Sequence, residues 1–245
     1  MKALVTGASS GIGKDIAIEL SKIGYDLILV ARDEVKLEEV SNQVITNSQV
    51  IVMDLNNADN CKKLYEQVKK DKIDLLVNNA GFGLREEFIK ADLEKEIDMI
   101  HTNIIAVHIL TKLFLKDMVE RNEGKILNVA SIAGFMPGPL MATYYATKSY
   151  VVRLSEAIEE ELKQIKSKVQ ISVLCPGPVD TNFNQVSGAD FKVKSLTSEY
   201  VAKYAIRKMK KGKFIIVPGI SIKLLRPIAK IIPNSIIKKF VYKLH

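Results

Sequence analysis

Short, continuous apolar runs alternate with longer stretches whose apolar positions recur every three or four residues, from the start of the chain to about residue 218. The first pattern is that of strands covered on both faces, and the second that of amphipathic helices. KALVT at residues 2–6 predicts the first strand. After a glycine turn, KDIAIELSKIG carries Ile16, Ile18, Leu20 and Ile23 among its apolar positions and stops at Gly24, which predicts a helix. DLILV, QVIVMDL, IDLLV, KILNVA and VQISVLC predict further strands, and KFIIVPG at residues 213–219 the last. Between them run helical stretches: 34–44 with Asp33 at the N-cap position, 61–70 with Asp54 as a candidate cap, a long one from about 86 to 120, one continuing through VVRLSEAIEEELKQI, and 198–212. Strand and helix alternate about seven times without a break. The prediction is an α/β fold: one doubly wound Rossmann domain over residues 1–218 with a parallel sheet of about seven strands. Residues 182–198 are polar and aperiodic, the pattern of a mobile substrate lid.

Composition adds little to this picture until the last residues. Among 245 residues, 47% are hydrophobic, enough for a packed core. No run of about 18 apolar residues is present, so no membrane-spanning helix is expected. The first strand begins at once, which leaves no signal peptide in view. Cys61 and Cys175 lie far apart, and with three histidines they form no metal-ligand spacing. Buried thiols and a reducing, cytoplasmic setting are expected. The net charge of +8 is concentrated in the tail: residues 219–245 hold Lys223, Arg226, Lys230, Lys238, Lys239 and Lys243 and no acidic residue. The preceding 218 residues are nearly balanced.

Three stretches carry chemistry. Gly7, Gly11 and Gly13 sit between the first strand and a helix, where glycines let the backbone approach a pyrophosphate and the helix N-terminus presents N–H groups to it. The second strand ends at Ala31-Arg32; an arginine there suits the 2′-phosphate of NADP, so NADP(H) is favoured over NAD(H). Tyr144 and Lys148 stand four apart in a helical segment, which brings both to one face. A lysine beside a phenol is expected to lower the phenol's pKa and ready it for proton transfer. Ser131 follows the strand KILNVA, at the end of an open parallel sheet where ligands bind. Asn103, a polar amide in an apolar helix, needs partners and reads either as a helix-bending group or as part of the site.

Together these residues resemble the classical short-chain dehydrogenases/reductases. The resemblance rests on Thr6-Gly7-x-x-x-Gly11-x-Gly13, Asp54, Asn78-Asn79-Ala80-Gly81, Asn103, Ser131, Tyr144-x-x-x-Lys148 and Pro176-Gly177-x-Val179-x-Thr181, in the family's order. It implies a catalytic tetrad. Tyr144 would be the general acid or base, Lys148 its modulator and a ribose ligand, Ser131 a donor to the carbonyl, and Asn103 the holder of a relay water. It also implies cofactor contacts from Gly7, Ser9, Ser10, Gly11, Ile12 and Gly13 in the turn, and from Arg32, Asp54 and Leu55 around the adenosine. Asn79, Ala80, Gly81, Pro176, Gly177, Val179 and Thr181 would complete them, with no metal. A homodimer through the helices containing residues 100–120 and 145–165 belongs to the same expectation. Ser10 departs from some NADP-preferring relatives, which carry a basic residue there, so the cofactor preference leans on Arg32.

Residues 219–245 form a basic, amphipathic C-terminal extension broken by Pro227 and Pro233, with Asn234 or Ser235 capping its last helix. Two readings stand: a helical flap beside the substrate cleft, or an interfacial segment in peripheral contact with a membrane. Nucleic acid is not expected, since the extension is aliphatic. The pocket is expected from residues 82–87, 133–141 and 182–198, with Phe82, Phe135, Met136, Leu140, Met141 and Phe183 favouring a hydrophobic carbonyl or alcohol substrate. Two alternatives are a cofactor-binding regulator without chemistry and an NAD-dependent alcohol dehydrogenase.

Overall fold

The computed structural model describes residues 1–181, 183, 187–188, 195–219 and 232–244. In chain order the strands are β1 (Lys2–Thr6), β2 (Asp26–Ala31), β3 (Ser48–Val52), β4 (Leu75–Asn78), β5 (Lys125–Val129), β6 (Gln170–Leu174), β7 (Val179–Asp180), β8 (Leu196–Thr197) and β9 (Ile215–Ile216). Seven form one parallel sheet in the order β3-β2-β1-β4-β5-β6-β9, while β7 and β8 pair apart from it. The order reverses between β1 and β4, which opens a crevice at the strands' carboxyl ends.

Alternation along β1 shows how the sheet is covered. Ala3 and Val5 face one core, with Ile16, Ala17 and Leu20 of α1 (Gly11–Ser21) and Val201, Ala205 and Met209 of α7 (Ser198–Lys210). Leu4 faces the other, with Cys61 and Leu64 of α3 (Ala58–Val68) and Leu110, Phe114 and Met118 of α5 (Val107–Glu120). Asp33 caps α2 (Glu34–Ser41) by accepting from the Lys36 N–H, as expected. Asp54 does not cap α3. Asn57 does so by accepting from the Asp59 N–H, because the turn after β3 is longer than the sequence pattern implied.

The helix expected from about residue 86 begins as α4 (Leu93–Ile100), capped by Asp92, and passes through a π-helical turn at His101–Ala106 into α5. This run, Leu93–Glu120, is long and apolar enough to cross a membrane by length and composition, a feature the search for continuous apolar residues did not predict. Its apolar stripe is a packing face, with Met99, Leu110, Phe114 and Met118 buried. α6 (Ala142–Gln164) lies against β5 and β6. The expected lid falls for most of its length outside the described residues, as does the extension around Pro227. The C-terminal helix (Asn234–Leu244) begins after Pro233, whose carbonyl accepts from the Ile236 and Ile237 N–H groups, so neither Asn234 nor Ser235 is the cap.

Candidate active site

Buried amides brace the crevice. Asn78 Nδ2 donates to Thr111 Oγ1 at 3.0 Å and to Asn128 Oδ1 at 2.9 Å, and Asn128 Nδ2 donates to Ser155 Oγ at 3.0 Å. Four side chains from β4, α5, β5 and α6 thus share one polar chain in the core, in which Asn78 Oδ1 alone lacks a hydrogen-bond partner. Asn79 Nδ2 donates to the carbonyls of Thr6 and Gly7, both at 3.1 Å, while Thr6 Oγ1 accepts from the Asn79 and Ala80 N–H groups. The end of β4 is thereby tied to the glycine turn.

That turn fits a pyrophosphate. Gly7 has φ +63°. A Cβ on Gly13 would stand 2.2 Å from the Gly7 carbonyl oxygen and 2.3 Å from Asn79 Nδ2, so only glycine permits the helix to start so close beneath the loop. Ser10 makes no side-chain capping bond at the start of α1, which leaves the helix N-terminus turned to the crevice as an anion site.

A cleft of about 810 Å³ runs across the strand ends. Gly7, Ser9, Ser10, Gly11, Ile12, Arg32, Asp54, Leu55, Asn79, Ala80 and Gly81 line one part; Ser131, Tyr144, Lys148, Pro176, Gly177, Val179 and Thr181 line another. Arg32 Nη1 lies 3.9 Å from Asp54 Oδ2 at its edge, both side chains well exposed. Two of the expected cofactor and catalytic residues are not on the wall. Gly13 lies beneath the turn, and Asn103, fully buried in the π-helical stretch, lies behind it. Asn103 Nδ2 donates to the Phe82 carbonyl and to Thr147 Oγ1, and its Oδ1 accepts from the Phe82 N–H. It therefore belongs to both categories left open by the sequence: a helix irregularity and a support of the site.

Tyr144 and Lys148 are both buried at the foot of the cleft, on one face of α6. Lys148 Nζ donates to the Val129 carbonyl at 3.1 Å and lies 5.8 Å from the centre of the Tyr144 ring. Burial lowers the Lys148 ammonium to about 8. Burial also raises the Tyr144 phenol above its ordinary value, with a hydrogen bond to Ser131 acting in the opposite direction. The expected lowering of the tyrosine is thus reversed. Desolvation outweighs the neighbouring lysine, whose ammonium is committed to a carbonyl. Ser131 Oγ accepts from the Ala133 N–H at 3.1 Å as the N-cap of the short helix Ile132–Phe135.

Phe82, Met136 and Phe183 line the cleft as expected, and the Phe183 ring is 5.3 Å from that of Tyr144. Phe135, Leu140 and Met141 do not. Phe135 packs against the core under α6, Met141 is buried beside Tyr144, and the Leu140 carbonyl is taken by the Glu86 N–H. The sequence reading did not assign Lys36, Met53 and Thr102 to the wall, nor Thr147 to the support of Asn103. The flap expected beside the cleft is there: Ile232, Ile236, Ile237, Phe240 and Val241 supply part of the wall, although the sequence did not single out these side chains.

A glycine cradle on an open parallel sheet, facing a buried phenol and ammonium, is the arrangement of a nicotinamide-dependent oxidoreductase. Residues 1–191 match the short chain dehydrogenase family, and the chain belongs to it, as an enzyme acting on CH–OH and C=O groups. It is 34% identical over 203 residues to an uncharacterized oxidoreductase of Staphylococcus epidermidis, covering 82% of this chain and 86% of that one. It is 37% identical over 201 residues to the very-long-chain 3-oxoacyl-CoA reductase of Anas platyrhynchos, covering 77% of this chain and 63% of that one. It is also similar to the solved structure of a short-chain dehydrogenase from Sphingobium yanoikuyae in complex with NADPH (TM-score 0.83, 26% identity, 89% of this chain and 88% of that one).

Proposed function

We propose that the protein is an NADP(H)-dependent oxidoreductase that interconverts a ketone or aldehyde and its alcohol on a hydrophobic substrate, with Tyr144 as general acid and base. The observation that carries this reading is the buried Tyr144 phenol, lining the cleft with Ser131 and with Lys148 Nζ 5.8 Å from its ring centre. The nicotinamide cofactor, when bound, supplies or accepts the hydride.

In the reductive direction Tyr144 Oη gives its proton to the substrate oxygen, and burial keeps the phenol in the protonated form this requires. Ser131 Oγ donates to the same oxygen as negative charge gathers there. Lys148 Nζ, with the Val129 carbonyl holding it in place, stabilises the phenolate that remains. Asn103 acts as a positioning residue through Phe82 and Thr147. The glycine turn and the α1 N-terminus hold the pyrophosphate, Asp54 and Leu55 flank the adenine, and Arg32 binds the 2′-phosphate. The solved relatives in complex with NADPH and with NAD support a nicotinamide cofactor, and the preference for NADP(H) rests on Arg32. The apolar wall of Phe82, Met136, Phe183 and Phe240 supports a hydrophobic substrate, as does the acyl-CoA reductase named among the relatives.

Residues 1–218 are the catalytic unit in this reading and 219–245 an extension of it, in a cytoplasmic protein. A homodimer through α5 and α6 is part of the reading, supported by the apolar groove of Leu115, Val119, Ile158 and Ile165 between them.

The test is NADPH oxidation across ketones, aldehydes and 3-oxoacyl thioesters, with NADH, Tyr144→Phe and Arg32→Ala in parallel. Tyr144→Phe is expected to lower kcat at least about 100-fold with cofactor binding retained. Arg32→Ala is expected to raise the KM for NADPH about 10-fold or more and leave that for NADH unchanged. Unchanged turnover in Tyr144→Phe refutes the mechanism.

A further inference from the structure

We propose that the mouth of the cleft is a docking surface for an anionic lipid bilayer, formed by the C-terminal helix and the turn carrying Phe88 and Ile89. The helix presents three stripes. Ile237 and Val241, one turn apart, are buried against the body. Ile236 and Phe240, on the adjacent stripe, line the cleft yet remain 57% and 58% exposed. Lys239 and Lys243 follow on the next stripe, with Lys238 beyond, all exposed.

An apolar stripe bordered by lysines is the form that settles into a headgroup layer. The ring and aliphatic groups enter the acyl boundary while the lysine stems lie along it with their ammonium groups outside. Across the mouth, Phe88 and Ile89 are 66% and 88% exposed, and Leu93 is exposed beside them. The Arg85 and Glu86 N–H groups donate to the Ser187 and Leu140 carbonyls, which holds the Phe88 turn beside the loop leading into α6, at the Tyr144 end of the cleft.

Large apolar side chains gathered in one place are unlike the scattered ones of an ordinary surface. Charge identifies the occupant. The C-terminal helix carries Lys238, Lys239 and Lys243 and no acidic residue. At the other rim Glu87 is paired with Lys90 at 3.0 Å, while Glu86, Asp92 and Glu94 stand against Lys95, so the basic excess of the surface comes from the helix. A net basic fringe around an apolar centre is complementary to an anionic bilayer. Because Ile236 and Phe240 belong to both the surface and the cleft wall, an apolar substrate passes from lipid into the cleft without crossing water. This last consequence rests on the reductase reading, whereas the docking does not.

The test is flotation of the full-length protein with vesicles of phosphatidylcholine alone and with about 30% phosphatidylserine. It needs no turnover, so its failure is separate from failure of the reductase reading. The protein is expected to float with the anionic vesicles and to release as salt is raised. Lys239→Glu/Lys243→Glu is expected to weaken binding about 25-fold or more, at roughly fivefold for each lysine removed. Phe88→Ser/Ile89→Ser should weaken it about tenfold or more. NADPH binding and thermal unfolding of both variants should match the parent protein. Absence from both vesicle types, equal binding to neutral and anionic vesicles, or binding untouched by either pair of substitutions overturns the proposal. So does a shift in sedimentation coefficient on Phe88→Ser/Ile89→Ser, which would assign the surface to a second copy of the chain.

Discussion

Asn103 holds both main-chain groups of Phe82: its Nδ2 donates to the Phe82 carbonyl at 2.9 Å and its Oδ1 accepts from the Phe82 N–H at 3.1 Å. The remaining Nδ2 hydrogen goes to Thr147 Oγ1 on α6, one residue before Lys148. A single amide at the π-helical turn therefore fixes the loop after β4 against the helix that carries the candidate acid. Asn103→Ala leaves three buried groups without their partner, and a loss of about 1–3 kcal/mol is expected. Urea unfolding measures it. Asn103→Asp keeps the shape but buries a carboxylate against the Phe82 carbonyl it can no longer donate to, so in neutral solution it should be at least as unstable as the alanine variant.

The low Lys148 value has a sign that unfolding can read. Below pH 8 the ammonium is charged in both folded and unfolded chains, and the folded state bears the full cost of burying it. Between about 8 and the unfolded value of 10.5 the folded lysine is neutral, so the cost shrinks as pH rises. The half-buried Tyr145, pushed up to about 12 by desolvation, stays neutral through this window. From pH 7.5 to 9.5 the parent protein is expected to gain about 2 kcal/mol relative to Lys148→Met, by denaturant unfolding of both. Parallel pH profiles for the two would contradict a lowered lysine.

Gly13 is a packing requirement. A methyl group there meets the Gly7 carbonyl and the Asn79 amide, neither of which can move without breaking the tie between β1 and β4. Gly13→Ala is expected to cost about 1–3 kcal/mol in stability. It should also weaken NADPH binding by at least about tenfold, because the displaced turn is the pyrophosphate cradle. Calorimetry of the free and NADPH-mixed protein reads both effects.

Strand positions and the residues at strand ends were legible in the sequence because a parallel strand covered on both faces leaves a continuous apolar run, and the polar residue that ends it marks the crevice. Thr6, Asn78, Asn79 and Ser131 all follow such runs. The π-helical turn was not legible. Apolar residues lie on nearly every side of IHTNIIAVHILTKLFL, so one extra residue in a turn leaves no break in phase. The shift of Tyr144 was misread for a different reason: i, i+4 spacing brings Lys148 close but does not say that its ammonium binds the Val129 carbonyl, nor how completely both groups are covered. The amphipathic extension was legible as a flap beside the cleft, but which of its residues, Ile236 and Phe240 among them, reach the wall depends on contacts between distant parts of the chain.

The sheet ends at β9 with only two paired residues, Ile215 and Ile216. A ladder that short gives an incoming strand almost nothing to template on, and both of its residues are already joined to β6. Among the described residues this border is protected from edge-to-edge polymerisation by its brevity, and Pro218, two residues on, offers no N–H to an incoming strand. Any lasting association between copies here has to be made by side chains, where sequence can specify the partner, because too little open backbone remains to accept an unrelated chain.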